Sequence, residues 1–186
     1  MRIAVITASL PTRRGILPEC MHSVTAQTLR PVAHLIGVDY ERRGSSAVRN
    51  ALVNSTDADW IAPLDDDDLF YPGHLQTLAS ASDSADIIYS WCDVHGRPGW
   101  NPNRPFDADA LRTANYIPIT VLMRRSLLVS LGGWRDSSKC ANGFEDHDLW
   151  LSALDAGARF ACVPEVTWRY RFHKGNKTYL GEQAAA

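Results

Sequence analysis

Short apolar runs alternate with amphipathic stretches along the first part of the chain. The runs are nearly continuous, which is typical of strands that are buried on both faces of a sheet. They lie at residues 2–7, 32–38 and 60–64. The stretches between them have helical spacing, and the predicted helices lie at residues 15–28 and from Ser45 or Ser46 to Asn54. This alternation predicts an α/β fold with a mainly parallel central sheet flanked by helices.

The second half of the chain has a less regular pattern. Further strands are predicted at residues 86–91, 117–123, 160–163 and 166–170. Helices are predicted at residues 126–131 and from Glu145 to Gly157, with a glycine turn at 132–134 and a loop over 96–105. No linker to a second domain is visible, so the pattern predicts one domain over residues 1–180 and a frayed, Ala-rich tail at 181–186.

Each of the first three predicted strands ends in polar residues. These are Thr7 with Ser9, then Asp39, and then Asp65. Because the carboxyl ends of parallel strands share one edge of a sheet, the three following loops can converge on a single ligand. The arrangement has the outline of a nucleotide-binding half. It contains neither GxGxxG nor the Walker phosphate-binding motif, which argues against dinucleotide and P-loop binding.

Four consecutive carboxylates, Asp65 to Asp68, follow the third predicted strand. Adjacent carboxylates repel one another, so the fold must gain something by holding them together. A divalent cation such as Mg²⁺ or Mn²⁺ would compensate the charge, since hard metals prefer carboxylate oxygen. The alternative is a solvated acidic loop that caps a helix beginning near Pro72.

Composition narrows the classes of protein that need to be considered. The formal net charge of −2 gives no electrostatic reason to expect a nucleic acid partner. No apolar run approaches the length of a membrane span, and the first residues are predicted to be a strand, not a signal peptide. The four cysteines are scattered without a CxxC pair, so reduced core thiols and a cytoplasmic location are expected.

Four blocks in this order resemble the family 2 glycosyltransferases, whose catalytic domain has the GT-A fold. The blocks are Thr7–Arg13 with Gln27-Thr28, Asp39 with Arg49-Asn50, Leu64–Asp68, and Leu131–Trp134 leading to Glu145–Trp150 and Tyr170–His173. The resemblance covers residues 2–178 and implies a single catalytic domain over 1–180. The usual Pro-Thr-x-Asn-Arg is replaced here by Ser9–Arg13, and the usual Asp-Gly-Ser-Thr-Asp loop by Asp39–Ser45. These departures leave the nucleotide base open.

The resemblance implies sugar transfer from a nucleoside-diphosphate sugar, with a UDP-sugar favoured, to an unknown acceptor hydroxyl. A divalent cation, Mn²⁺ or Mg²⁺, would assist the departure of the diphosphate in a single in-line displacement with inversion. The implied donor-binding residues are Thr7, Ser9, Arg13, Asp39, Arg49, Asp65 and Asp66. The implied metal ligands are Asp67 and His173, the general base is Asp146, and the acceptor contacts are Glu145 and Trp134. Homo-oligomerisation stays open.

Each implied role has a structural alternative. His173 could be an exposed side chain, and Asp146 could have only a capping role at the start of its helix. Arg13 and Arg49 could be surface charges, and Trp134 could be packed in the core. For the whole chain, one alternative is a binding module that holds a sugar nucleotide without turnover. The other is a DxD-type phosphatase, which Leu69 after the acidic run argues against.

Overall fold

The computed structural model describes residues 1–141 and 143–176, and a central sheet runs through this part of the chain. The strands are β1 Ile3–Ser9, β2 Ala33–Val38, β3 Trp60–Pro63, β4 Leu69–Phe70, β5 Ile87–His95, β6 Val121–Arg124 and β7 Phe160–Arg171. The helices are α1 Leu17–Thr25, α2 Ser45–Asn54, α3 His74–Ala79, α4 Ala108–Thr113, α5 Arg125–Ser130 and α6 Glu145–Asp155. Single 3₁₀ turns occur at Pro11–Arg13 and Ser137–Lys139.

The strand order across the sheet is β2-β1-β3-β6-β5-β7-β4. Strand β1 is parallel to both β2 and β3, and β5 is parallel to β7. Strands β6 and β4 run antiparallel to their neighbours. Five of these seven strands therefore point in the same direction, and the prediction of an α/β fold with a mainly parallel sheet is confirmed.

The sheet separates two hydrophobic cores, because alternate side chains of a strand point to opposite faces. From β1, Ala4 and Ile6 enter one core, while Ile3 and Val5 enter the other. Strand β3 is buried along its whole length, as predicted. Strand β2 is the exception: it lies at the edge of the sheet, and all its residues are partly exposed.

Two predicted strands at the end of the fold are a single strand. Residues 160–163 and 166–170 both belong to β7, which pairs with β5 over its length. The pairing register shifts here, because Ser90 pairs with Val163 while the next residue, Trp91, pairs with Val166. Pro164 lies within this shift, and because proline has no N–H for the ladder, the interruption is local. The short elements β4 and α4 were not predicted.

The glycine turn before Trp134 is held against helix α2 by hydrogen bonds. Gly133 has φ +76°, and a Cβ there would lie 2.3 Å from Asn50 Oδ1, so only glycine fits. Asn50 Nδ2 donates to the Trp134 carbonyl at 2.8 Å, and the Trp134 N–H donates to Asn50 Oδ1 at 3.0 Å. The turn therefore fixes where the chain leading towards α6 lies relative to α2.

Two histidines, the partly buried His34 and the fully buried His74, should make the stability depend on pH. His34 Nε2 lies 2.9 Å from Thr7 Oγ1, and burial lowers the pKa of His34 to about 4. His74 Nδ1 lies 2.7 Å from Thr167 Oγ1, and burial lowers the pKa of His74 to about 3. Both rings are neutral in the fold, whereas the unfolded chain takes up protons as the pH falls below about 6.5.

We expect the double variant His34→Gln/His74→Gln to lose this dependence. Between pH 7 and pH 5, each wild-type histidine should cost about 2 kcal/mol of unfolding free energy, because protons bind only to the unfolded state. Acidic groups with raised pKa values stabilise the fold as the pH falls, and they are present in both proteins. The quantity to compare is therefore the change in unfolding free energy between pH 7 and pH 5, in wild type and in the variant. Urea unfolding at both pH values measures it. Equal changes in wild type and variant would contradict the assignment.

Candidate active site

A cavity of about 760 Å³ opens at the carboxyl ends of the first three strands. One wall comes from the segments that follow β1, β2 and β3. A second wall comes from residues 100–104, residues 113–119 and the first turn of α6. The volume is in the range of ordinary small-molecule sites, and the position is where open α/β sheets bind their ligands.

The four aspartates lie at the base of this cavity and not on a solvated loop. Asp66, Asp67 and Asp68 are buried, and only Asp65 is substantially exposed. One carboxylate oxygen from each of Asp65, Asp67 and Asp68 lies within 4.8 Å of the other two. The alternative of a solvated acidic loop is therefore wrong, and the donor set suits a hard divalent cation.

Two arginines offset the charge of the cluster. Arg13 Nη1 donates to Asp66 Oδ1 and to Asp67 Oδ2, at 2.7 Å in each case. Arg49 Nη2 donates to Asp65 Oδ1 at 2.6 Å, and its Nη1 donates to Glu145 Oε1 at 3.1 Å. Neither residue is a free surface charge. Arg49 joins the end of β3 to the start of α6.

Two carboxylates of the cluster, Asp67 and Asp68, are difficult to ionise. Burial, together with Asp67 and Asp65, raises the pKa of Asp68 well above its usual range. Burial also raises the pKa of Asp67, and Asp65 adds to the effect. The Arg171 N–H donates to Asp68 Oδ1 at 2.9 Å, which offsets only part of this. Full ionisation of the cluster would therefore need more positive charge than the neighbouring side chains supply.

The end of the described chain returns to the acidic cluster. Arg171 Nε donates to the Asp67 carbonyl, and Arg171 Nη1 donates to Glu19 Oε2 at 2.6 Å. His173 Nε2 lies 3.0 Å from Asp67 Oδ2, so its side chain, although largely exposed, contacts the cluster. The Gly175 N–H donates to His173 Nδ1 at 3.0 Å. His173 Nε2 therefore carries the ring proton and donates to Asp67.

Asp146 lies on the other wall, on the first turn of α6. Its Oδ1 accepts from the His147 N–H at 2.8 Å and from Asn115 Nδ2 at 3.1 Å. One donor lies on the same helix as Asp146 and the other in the segment after α4, and together they orient the carboxylate. The neighbouring Glu145 is buried and accepts from Ser45 Oγ at 3.1 Å as well as from Arg49.

Two further predicted donor residues line the cavity. Ser9 Oγ donates to Asp66 Oδ2 at 2.6 Å, which ties the end of β1 to the acidic cluster. Asp39 accepts from the backbone N–H groups of Arg43 and Gly44 at 2.9 and 2.7 Å. These bonds close the loop between β2 and α2, so the Asp39 carboxylate has a fixed orientation beside the cavity.

Three predicted site residues do not line the cavity, and of these only His173 contacts the acidic cluster, through Asp67. Thr7 is fully buried, with its hydroxyl near His34 and Cys20, two residues short of the sheet edge. Trp134 is 2% exposed and packs in the core, with Arg49 Cζ 5.9 Å from its ring centroid. The structure therefore supports the alternative that Trp134 is packed in the core. The Thr7 side chain has no exposed surface that a ligand could contact.

Most of the second wall has no recognisable signal in the sequence. The Asn103 side chain makes two hydrogen bonds to the backbone of Cys92. It accepts from the Cys92 N–H at 2.8 Å and donates to the Cys92 carbonyl at 2.9 Å. This pair holds the long loop after β5 against the sheet. Arg104 Cζ lies 4.4 Å from the ring centroid of Tyr116. The cavity-lining residues that were not predicted include Trp100, Asn103, Arg104, Asn115, Tyr116 and, from β7, Tyr170.

This sheet, with an acidic cluster and a cavity at the ends of its parallel strands, places the protein in the GT-A class of glycosyltransferase folds. Comparison with known proteins supports the class. The family model described as glycosyl transferase family 2 matches residues 34–131. An uncharacterised glycosyltransferase, YwdF of Bacillus subtilis (strain 168), is 33% identical over 82% of this chain and 68% of its own length. The chain belongs to glycosyl transferase family 2, as the resemblance implied.

Solved structures share the fold. S. aureus TarS 1–349 in complex with UDP-GlcNAc matches with a TM-score of 0.75 and 15% identity over 95% of this chain. The same fragment in complex with UDP gives a TM-score of 0.73, with 15% identity over 94% of this chain. The chain spans about 60% of the length of that fragment. Among the described residues, no helix has the length and apolar character needed to cross a bilayer.

Proposed function

We propose that the protein transfers a hexosyl group from a UDP-sugar to an acceptor hydroxyl, with inversion. This proposal rests on the observation that a buried acidic cluster and an oriented carboxylate, Asp146, line a single cavity. The family supplies the reaction class. UDP and UDP-GlcNAc in the TarS structures support the choice of donor, although at 15% identity they establish the fold alone.

The wall formed by the segments that follow β1, β2 and β3 would hold the donor. Asp39 would accept hydrogen bonds from the base or the ribose, and Asp65 and Asp66 would contact the ribose or sugar. Ser9 and Arg49 would hold these carboxylates in place through the bonds described above. Arg13 would face the diphosphate. Thr7 is left out of this set because its hydroxyl is buried away from the cavity.

The residues present fit a divalent cation, Mn²⁺ or Mg²⁺. Asp67 would be the principal ligand, with Asp65 and Asp68 close enough to contribute oxygen. When bound, the cation would act as a Lewis acid that absorbs charge on the leaving diphosphate. His173 could ligate through Nε2 only after its ring proton moves to Nδ1, which breaks the contact with the Gly175 N–H. We propose it as an additional ligand on that condition.

Asp146 would take the proton of the acceptor hydroxyl. Its carboxylate is held by Asn115 and by its own helix, so it can be oriented before the acceptor arrives. Because the base and the diphosphate would act on opposite sides of the anomeric carbon, one displacement inverts that centre without a covalent intermediate. Glu145 is bound by Arg49 and Ser45, so we propose that it shapes the acceptor side and is not the base.

Binding of UDP should require the divalent cation. Without the cation, the diphosphate would meet four carboxylates with too little positive charge beside them. Calorimetric titration of UDP in Mn²⁺ should give clear binding that falls at least about 10-fold in EDTA. Unchanged affinity in EDTA would remove the acidic cluster from the proposed metal role.

Turnover itself is tested by release of UDP from UDP-sugars in the presence of candidate hydroxyl acceptors. Release that depends on an acceptor supports the transferase. UDP-sugar binding without release in any combination supports a binding module instead. Family membership argues against the phosphatase alternative, for which release of phosphate from a generic phosphomonoester is the test.

Three wider expectations belong to the same proposal. The four cysteines are free thiols, which supports a reducing compartment such as the cytoplasm. The catalytic domain is proposed to extend over residues 1–180, of which 177–180 lie outside the described residues, as does the predicted tail at 181–186. Homo-oligomerisation remains open.

A further inference from the structure

One nitrogen of Arg13 bridges two carboxylates of the acidic cluster. Arg13 Nη1 lies 2.7 Å from Asp66 Oδ1 and 2.7 Å from Asp67 Oδ2. Asp67 Oδ2 also accepts from His173 Nε2 at 3.0 Å. This oxygen of Asp67 therefore already has two partners, Arg13 and His173.

A metal ion on the same oxygen would stand close to this guanidinium. Metal–oxygen distances are about 2.0–2.6 Å for hard divalent cations, so the metal and Arg13 Nη1 would lie within about 5 Å of each other. Like charges at that distance repel strongly beside a buried cluster. Arg13 and the metal therefore compete for Asp67.

The two arginines whose side chains pair with carboxylates of the acidic cluster differ in how easily they can move. Arg49 lies in helix α2 with its side chain 6% exposed, between Asp65 and Glu145. Arg13 lies in a single 3₁₀ turn with its side chain 25% exposed, and it lines the cavity. Arg49 is thus a fixed counter-charge, whereas Arg13 can leave the carboxylates without disturbing a helix.

We propose that Arg13 is an exchangeable counter-cation. It holds the Asp66–Asp67 pair together in the empty site, and it is released from Asp67 when metal and nucleoside diphosphate bind together. The released guanidinium then faces the diphosphate, whose negative charge replaces that of Asp67 as its partner. The inference rests on the proposed metal-dependent function. It adds that metal alone binds weakly and that the diphosphate strengthens metal binding through Arg13.

The test measures Mn²⁺ binding directly, by the electron paramagnetic resonance signal of free Mn²⁺, with and without UDP. Arg13→Gln removes the competing charge, so its affinity for Mn²⁺ without UDP should rise about 10-fold. UDP should strengthen Mn²⁺ binding in wild type at least about 10-fold more than in this variant. Arg13→Lys keeps the charge and should restore the weak binding of the empty site.

Arg14→Gln is the matched control. Arg14 is the next residue, has the same charge, is exposed, and contacts Tyr40 Oη at 3.2 Å instead of the acidic cluster. Its Mn²⁺ affinity should equal that of wild type, which excludes a general effect of net charge. Thermal unfolding of each variant, checked in parallel, confirms that the binding data come from folded protein.

The possible results distinguish failure of the Arg13 exchange from failure of the metal site. Wild type that binds Mn²⁺ with UDP, together with an Arg13→Gln variant of equal or weaker affinity in the empty site, overturns the exchange and leaves the proposed function standing. Absence of Mn²⁺ binding in wild type, with or without UDP, overturns the metal site and the exchange together. Equal gains in Arg13→Gln and Arg14→Gln would also overturn a specific role for Arg13.

Discussion

Replacing Asp146 by Asn is expected to lower the turnover rate by about 100-fold or more, with little change in affinity for the donor. Asparagine keeps an oxygen that can accept from the His147 N–H and from Asn115, so the local structure should persist. The amide cannot take a proton from an acceptor hydroxyl. The loss should therefore fall on the chemical step, and single-turnover kinetics with saturating donor would measure it.

Asp148→Asn is the control for this variant. Asp148 lies on the same first turn of α6, but it pairs with Arg135 at 2.8 Å and does not line the cavity. The same chemical change there should leave turnover within about two-fold of wild type. Near-normal turnover in Asp146→Asn would show that the base lies elsewhere, and Glu145→Gln would then be the next variant to assay.

The second large effect is expected on stability. Arg49→Met should reduce the free energy of unfolding by about 3–5 kcal/mol, because it leaves Asp65 and the buried Glu145 without their shared cation. The methionine fills much of the same volume, so the loss reports charge more than packing. Urea unfolding monitored by circular dichroism at neutral pH gives the difference.

A surface arginine provides the comparison for Arg49. Arg43→Met removes the same charge from an exposed pair with Glu41, and such pairs contribute about 1 kcal/mol or less. In the double variant Arg49→Met/Glu145→Gln, neutralising the buried partner should recover part of the lost stability. A loss below about 1 kcal/mol in Arg49→Met would mean that the two carboxylates find other compensation in the fold.

The parts of the fold that depend on local patterns could be predicted from the sequence. Continuous apolar runs gave β1 and β3, and the polar residues that end them pointed to the correct edge of the sheet. The edge position of β2 could not be foreseen, because its apolar run resembles that of a central strand. Neighbours in the sheet, not the run itself, decide exposure.

Other elements have no local signal at all. Strand β4 has two residues and exists through its pairing with Trp168 and Arg169, about a hundred positions later. The same limit applies to side chains: Thr7 ends an apolar run as a site residue would, yet α1 and β2 cover it at His34 and Cys20. Depth below the sheet edge depends on packing, which the spacing of residues does not encode.

The pairing of β4 has a consequence for how the protein emerges from the ribosome. Among the described strands, β4 pairs with β7 alone, and β7 also covers one side of β5. Until residues 160–171 have been synthesised, the nascent chain presents the open edge of β5, and the acidic run leads into a strand with no partner. Such unpaired edges are the sites where partly made chains associate wrongly. Translation that pauses before residue 160 should therefore leave an intermediate that depends on chaperones, even though β1, β2 and β3 can already pair.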